Sequence, residues 1–161
     1  MNKYYFSLAV SMTVILVDQV SKFIVRSTIP LYSSVKVLPV LDFTHIRNPG
    51  VAFGMLKNLP DSIRLPFFVI VLVAALIVVI YIIKNTDHRE KPIIFSLSLI
   101  LGGAFGNSID RFRLGYVTDF IDLHWFNYPG YHWPPFNISD SCITIGAISI
   151  LLLGIFYNRS K

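Results

Sequence analysis

The sequence predicts a mainly α membrane protein with four transmembrane helices, a small extracytoplasmic β-sheet subdomain, and a short surface helix or loop between spans three and four. Three observations predict it. Of 161 residues, 54% are hydrophobic and only 14% charged, with a mean hydropathy of +0.63, outside the range of soluble domains. Four apolar stretches reach the roughly 17 to 25 residues that a helix needs to cross a bilayer at about 1.5 Å of rise each. The polar residues between them concentrate in two long segments, 27–64 and 113–139.

The first span covers 4–25. An apolar run behind Lys3 resembles a secretory leader, but no small-residue cleavage site follows Val17 and the next polar residues are Asp18, Gln19 and Lys22, so a retained span is expected. In the loop that follows, Val35, Val37, Leu41 and Phe43 alternate with Lys36, Asp42 and Thr44, a strand period. Asn48, Pro49 and Gly50 then form a turn before Val51 to Met55. A loop of this length inside a compact protein points to function.

Spans two and three, 65–83 and 92–109, contain no charge before Asp110, and a short basic connection with Lys84, Arg89 and Lys91 joins them. Segment 113–139 carries Tyr116, Trp125, Phe126, Tyr128, Tyr131 and Trp133, the aromatic content of the lipid headgroup level, and is expected to lie along the membrane. The fourth span covers 141–157. No repeat or low-complexity stretch interrupts the chain, so one membrane domain spanning 1–161 is expected.

The net charge of +5 comes from scattered basic residues and forms no stripe, which points to anionic headgroups and not to nucleic acid. Counting Lys and Arg in all loops favours an orientation with the long segments inside. Short loops carry most weight in that rule, however, and the connection between spans two and three puts the termini on the cytoplasmic side. The lone Cys142 allows no intramolecular disulfide. His45, His88, His124 and His132 show no zinc-ligand spacing, and neither a phosphate-binding glycine loop nor a serine nucleophile elbow is present.

The aspartates carry the functional signal, because a carboxylate at the bilayer centre costs roughly 2.5 to 3.5 kcal/mol. Asp18 ends span one, Asp110 ends span three, Asp140 opens span four, and Asp119 and Asp122 lie between the last two. Helix parity puts all of them, with the Asn48 turn, on one membrane face. Asp18 and Lys22 have the i, i+4 spacing of a helix ion pair. Asp110 with Arg111 fits interfacial anchoring or substrate contact equally, and Asp140 fits either catalysis or the favoured acid of a helix N-terminus. Spacing alone leaves open whether Asp119 or Asp122 meets Asp140. It also leaves open a hard-cation site built from these carboxylates, or a transporter with intramembrane charges.

Four motifs narrow this: NPGVAFG at 48–54, GNSIDR at 106–111, GYVTDF at 115–120 and FNISDS at 136–141. Together, and in this order along essentially the whole chain, they resemble the lipoprotein signal peptidase family, signal peptidase II. The resemblance implies an aspartic endopeptidase of the bacterial cytoplasmic membrane, working without metal or other cofactor on diacylglyceryl-modified prolipoproteins and cutting N-terminal to the lipidated cysteine. It implies Asp119 and Asp140 as the catalytic pair, with Asn48, Gly50, Asn107, Arg111 and Asn137 holding substrate or ordering the site and Asp18, Lys22 and Asp110 supporting it. It further implies membrane lipid as a partner, a monomer, and an active site at the extracytoplasmic face. Two positions depart from the family pattern: Ser139 stands where alanine is usual, and Val51 follows Gly50 where alanine is common.

Overall fold

The structure, a computed structural model, describes residues 2–50, 60–124 and 133–159. Four helices long and apolar enough to cross a membrane, α1 (Lys3–Thr28), α2 (Asp61–Asn85), α3 (Lys91–Leu114) and α4 (Ile138–Arg159), carry a three-stranded antiparallel sheet of β1 (Ser34–Leu38), β2 (Leu41–Asn48) and β3 (Val117–Leu123). The protein is a multi-pass membrane protein.

Helix α1 has the reverse of a soluble amphipathic pattern. Its buried stripe is Ser7, Ser11, Val14, Asp18, Lys22 and Val25, spaced three or four apart, while Leu8, Met12, Leu16, Val20 and Phe23 face outward. Lipid solvates the apolar side, so the polar side turns inward and must find partners there. Ser11 Oγ donates to Ser98 O at 2.9 Å and Ser98 Oγ to Ser7 Oγ at 2.8 Å, which joins α1 to α3. Small residues on α3 permit the approach: a Cβ on Gly102 would stand 2.7 Å from Val14 Cβ, and one on Gly106 would run into the Ser139 hydroxyl and Asp18 Oδ2. Helix α3 thus sits centrally and packs against α1, α2 and α4.

At the far end from the aspartates, the Lys3 ammonium donates to Lys84 O and Thr86 O, both at 2.8 Å, and clasps the end of α2 to the start of α1. Helix α3 ends at Gly115, whose φ of +78° is the left-handed conformation that glycine adopts freely, with its N–H bonded to Arg111 O at 3.0 Å. The chain leaves this cap directly into β3.

The sheet differs from expectation in two ways. The alternating stretch 35–44 is folded on itself at Pro39 and Val40 into β1 and β2, since proline cannot donate to a ladder and favours the break. The segment after span three, expected as a surface helix or loop, contributes β3 from a β-branched and aromatic run, Val117, Thr118, Phe120 and Ile121. Strand β3 pairs with β2, placing Asn48 opposite Val117, Ile46 opposite Asp119 and Asp42 opposite Asp122. Phe120 packs with Val25 and Ile29 and so seats the sheet on the end of α1. Val51 to Met55 and the aromatics Trp125, Phe126, Tyr128 and Tyr131 lie outside the described residues.

Candidate active site

Three elements converge where α1, α3 and α4 meet the sheet. Asp119 comes from the buried stretch of β3, 2% exposed. Asp140 comes from the first turn of α4, where it closes a capping box: Asp140 N donates to Asn137 Oδ1 at 2.9 Å and Asn137 N to Asp140 Oδ2 at 3.3 Å. The same Asn137 reaches across with Nδ2 to Asp119 Oδ1 at 2.7 Å. Asn137 therefore ties both carboxylates together, Asp119 through its side-chain amide and Asp140 through its backbone N–H.

Two more asparagines complete the frame. Asn48 Nδ2 donates to Asp119 Oδ2 at 2.9 Å, and Asn107 Nδ2 to Asp140 Oδ1 at 2.7 Å. Each amide has its orientation set by a group that only donates. Gly50 N holds Asn48 Oδ1 at 3.0 Å, Lys22 Nζ holds Asn107 Oδ1 at 2.9 Å, and Asp140 N holds Asn137 Oδ1. All three NH₂ groups consequently point at carboxylates.

Behind this frame lies a fully buried ion network. Lys22 Nζ is 2.8 Å from Asp18 Oδ2 and 3.6 Å from Asp110 Oδ2. Asp18 Oδ1 accepts from Ser139 N at 2.9 Å and Asp110 Oδ2 from Thr118 N at 3.0 Å, so the two supporting aspartates fix the start of α4 and the start of β3. Arg26 Nη1 adds a bond to Thr118 Oγ1 at 3.0 Å and lies 3.7 Å from Asp110. Gln19 Nε2 reaches Gly106 O and Asp110 Oδ1, both at 3.1 Å.

Burial away from water pushes the Asp119 carboxyl up to about 6, and the neighbouring Asp140 charge pushes the same way; the Asn48 and Asn137 donors and Lys22 oppose them. Both carboxylates line a cavity of about 560 Å³. Its polar end holds Asn48, Arg111, Asp119 and Asp140, and its apolar end runs past Trp133, Pro134, Pro135, Ile143 and Ile145 along α4. Arg111 stacks on the Phe68 ring at 4.0 Å and donates to Gly50 O at 3.2 Å, linking α2 and the Asn48 turn to the cavity wall.

Every residue singled out in the motifs, Asn48, Gly50, Asn107, Arg111, Asp119, Asn137 and Asp140 with Asp18, Lys22 and Asp110, belongs to this one connected cluster. Asp122 does not; it faces Asp42 in the outer ladder. Gln19, Arg26, Thr118 and Ser139 were not anticipated, although Asp18, Lys22 and Arg26 form a readable i, i+4, i+8 series. The described histidines serve locally: His45 Nδ1 meets Ile29 O at 2.9 Å, His88 pairs with Asp87 at 3.1 Å and His124 with Asp42 at 3.4 Å. Among the described residues no three His, Cys, Asp or Glu side chains group as metal ligands.

Known proteins share both sequence and architecture. The family model described as Signal peptidase (SPase) II matches residues 10–156. A lipoprotein signal peptidase of Alteromonas mediterranea is 40% identical over 152 residues, covering 94% of this chain and 81% of that one. The enzyme of that name from Francisella tularensis subsp. novicida is 40% identical over 157 residues, covering 98% and 94%. A bacterial membrane enzyme solved by the in meso method at 2.3 Å resolution superposes with a TM-score of 0.85 at 34% identity, over 97% of this chain and 91% of that one. The chain belongs to the signal peptidase II family, the lipoprotein signal peptidases, and is an aspartic peptidase.

Proposed function

We propose that this protein cuts diacylglyceryl-modified prolipoproteins on the N-terminal side of the lipidated cysteine, at the extracytoplasmic face of the bacterial inner membrane, using Asp119, Asp140 and a water molecule. The observation that carries this reading is the pair of carboxylates on one cavity wall, joined through Asn137. Two adjacent carboxylates cannot both ionise cheaply, so they share one proton and titrate as a unit. The pair then offers a base and an acid together.

The ionised member takes a proton from water, and the resulting hydroxide oxygen bonds to the scissile carbonyl carbon while the protonated member gives its proton to the carbonyl oxygen. Collapse of the tetrahedral species breaks the C–N bond. The proton taken from water leaves with the amine of the cysteine, and the hydroxyl proton returns to the pair. No metal ion or acyl-enzyme enters this sequence.

The cavity matches such a substrate at both ends. The apolar wall along Ile143 and Ile145 continues into lipid-facing surface, where acyl chains and the signal helix remain in hydrocarbon. Arg111, Asn48 and Gly50 stand where an extended peptide enters from the sheet side, with backbone groups to hold. The short basic connection between α2 and α3, with the termini, faces the cytoplasm, and the chain acts as a monomer.

The test is cleavage of a diacylglyceryl-modified prolipoprotein by purified wild type, Asp119→Asn and Asp140→Asn in detergent, with chelator present. Wild type cleaves, and each variant loses at least about a thousandfold, in line with removal of a group on which the chemistry depends. Full activity in either folded variant refutes the residue assignment, and activity abolished by chelator refutes the metal-free mechanism.

A further inference from the structure

The two carboxylates are not held alike. Asp119 sits on a strand and receives hydrogen bonds from two neutral amides, Asn48 and Asn137. Asp140 sits in the first turn of α4, where the helix dipole favours a negative charge, and it accepts from Asn137 N. Its other oxygen takes the 2.7 Å bond from Asn107, whose own oxygen is engaged by the Lys22 ammonium at 2.9 Å. Lys22 only donates, so it forces the Asn107 NH₂ toward Asp140 and polarises that amide in the direction that strengthens the bond.

We propose that Lys22 is a positioning residue that acts through Asn107 to place the negative charge of the pair on Asp140 and its proton on Asp119. Asp140 is then the group that takes the proton from water, and Asp119 the group that protonates the scissile carbonyl oxygen. The other charged groups facing the pair fit this division. Arg111 on α3 lines the same cavity, whereas Asp18 and Asp110 are ion-paired with Lys22, and Arg26 spans Asp110 and Thr118 at the foot of β3. The elevated titration of Asp119, to about 6, agrees. This inference rests on the reading of Asp119 and Asp140 as the catalytic pair.

Two measurements test it. The first is the pH dependence of kcat/KM for wild type, Asn107→Leu, and the charge-balanced double variant Lys22→Met with Asp18→Asn, each checked for folding by thermal denaturation. Loss of the polarised amide leaves the ionised Asp140 less well satisfied, so in both variants the acid limb moves up by about one pH unit. The rate also falls about 10- to 100-fold. A uniform fall in rate with limbs unmoved would show that Lys22 only packs, and a shift in the double variant but not in Asn107→Leu would show that its charge acts through space. Either result overturns the relay.

The second measurement is the infrared band of the protonated carboxyl at a pH between the two limbs, in wild type and Asn48→Ala. Asn48 contacts Asp119 alone of the pair, so its removal shifts the band if Asp119 holds the proton. An unmoved band places the proton on Asp140 and refutes the assignment. Full activity of Asp119→Asn is a separate outcome, which overturns the catalytic pair itself.

Discussion

Asn48→Ala removes a donor to Asp119 while leaving in place the backbone pairing of residue 48 with Val117 on the strand that carries it. The 2.9 Å bond from Asn48 Nδ2 stabilises the ionised form of Asp119, and hydrogen bonds to charged groups contribute about 1.5 to 3 kcal/mol. Asn48 lines the cavity, so water replaces part of the loss and the lower end of that range applies. At about 1.4 kcal/mol per pH unit, the Asp119 titration rises from about 6 to about 7. The sign follows from the species the proposed mechanism requires: there the pair acts with one proton, so activity falls as pH rises through the titration of the protonated member. The alkaline limb of kcat/KM should therefore move up by about one unit in the variant. The variant should also be slower at low pH, where the Asn48 turn no longer orders the site. A fluorogenic lipopeptide assayed in detergent between pH 4 and pH 9 measures both. An alkaline limb that stays in place, or moves down, would refute the account of Asp119 as a buried carboxyl restrained by Asn48.

Four further outcomes follow from the packing. Ser139→Ala should leave activity within about threefold and raise stability by about 1 kcal/mol, because the Ser139 hydroxyl is buried without a hydrogen-bond partner; thermal denaturation in detergent reads this directly. Gly106→Ala should lower the yield of folded protein or cost more than about 3 kcal/mol, since its Cβ would enter the Ser139 hydroxyl and Asp18 Oδ2 together. The Gly106→Ala, Ser139→Ala double variant should recover only part of that loss, because the Asp18 contact remains. Asp110→Asn should reduce kcat more than it raises KM, because Asp110 does not line the cavity but holds Thr118 N at the foot of the strand that carries Asp119.

The four helices were legible because a bilayer demands long uninterrupted apolar runs, and that signal survives without tertiary context. The convergence of the aspartates on one face was legible for a related reason: span parity alone decides it. Strand β3 was not, because its residues Val117 to Leu123 alternate weakly and mix four hydrophobic types with two aspartates in a segment otherwise rich in aromatics. Its pairing with β2 depends on a contact between segments about seventy residues apart, which no local pattern reports. That pairing also decides between Asp119 and Asp122, which local spacing left open: Asp119 lies in the inward stretch of β3, whereas Asp122 sits opposite Asp42 toward the outer end. Motif resemblance pointed to the same residue without supplying the reason. Gln19 and Arg26 were not assigned to the site because a polar residue beside a span reads as an interfacial anchor until the neighbouring helix is in place.

The electrical balance of the site accounts for the number of charges gathered there. Asp18 and Asp110 are matched by Lys22 and Arg26, two against two, in a network with Asp18 and Lys22 fully buried. Among the described residues, the remaining cation on the cavity wall is Arg111, and the remaining acids are Asp119 and Asp140. With one proton on that pair the whole group is neutral. With two protons it carries an excess of one positive charge, and with none an excess of one negative charge. An unpaired buried charge costs several kcal/mol at the edge of a bilayer, where water screens it poorly. The surrounding charges therefore favour the singly protonated pair over both alternatives, and that is the state the proposed mechanism requires. Lys22 belongs to both halves of this balance, as the counter-ion of Asp18 and Asp110 and as the donor that orients Asn107 toward Asp140. The supporting network and the proposed catalytic pair are thus a single electrostatic unit, and substitutions within it should couple instead of adding.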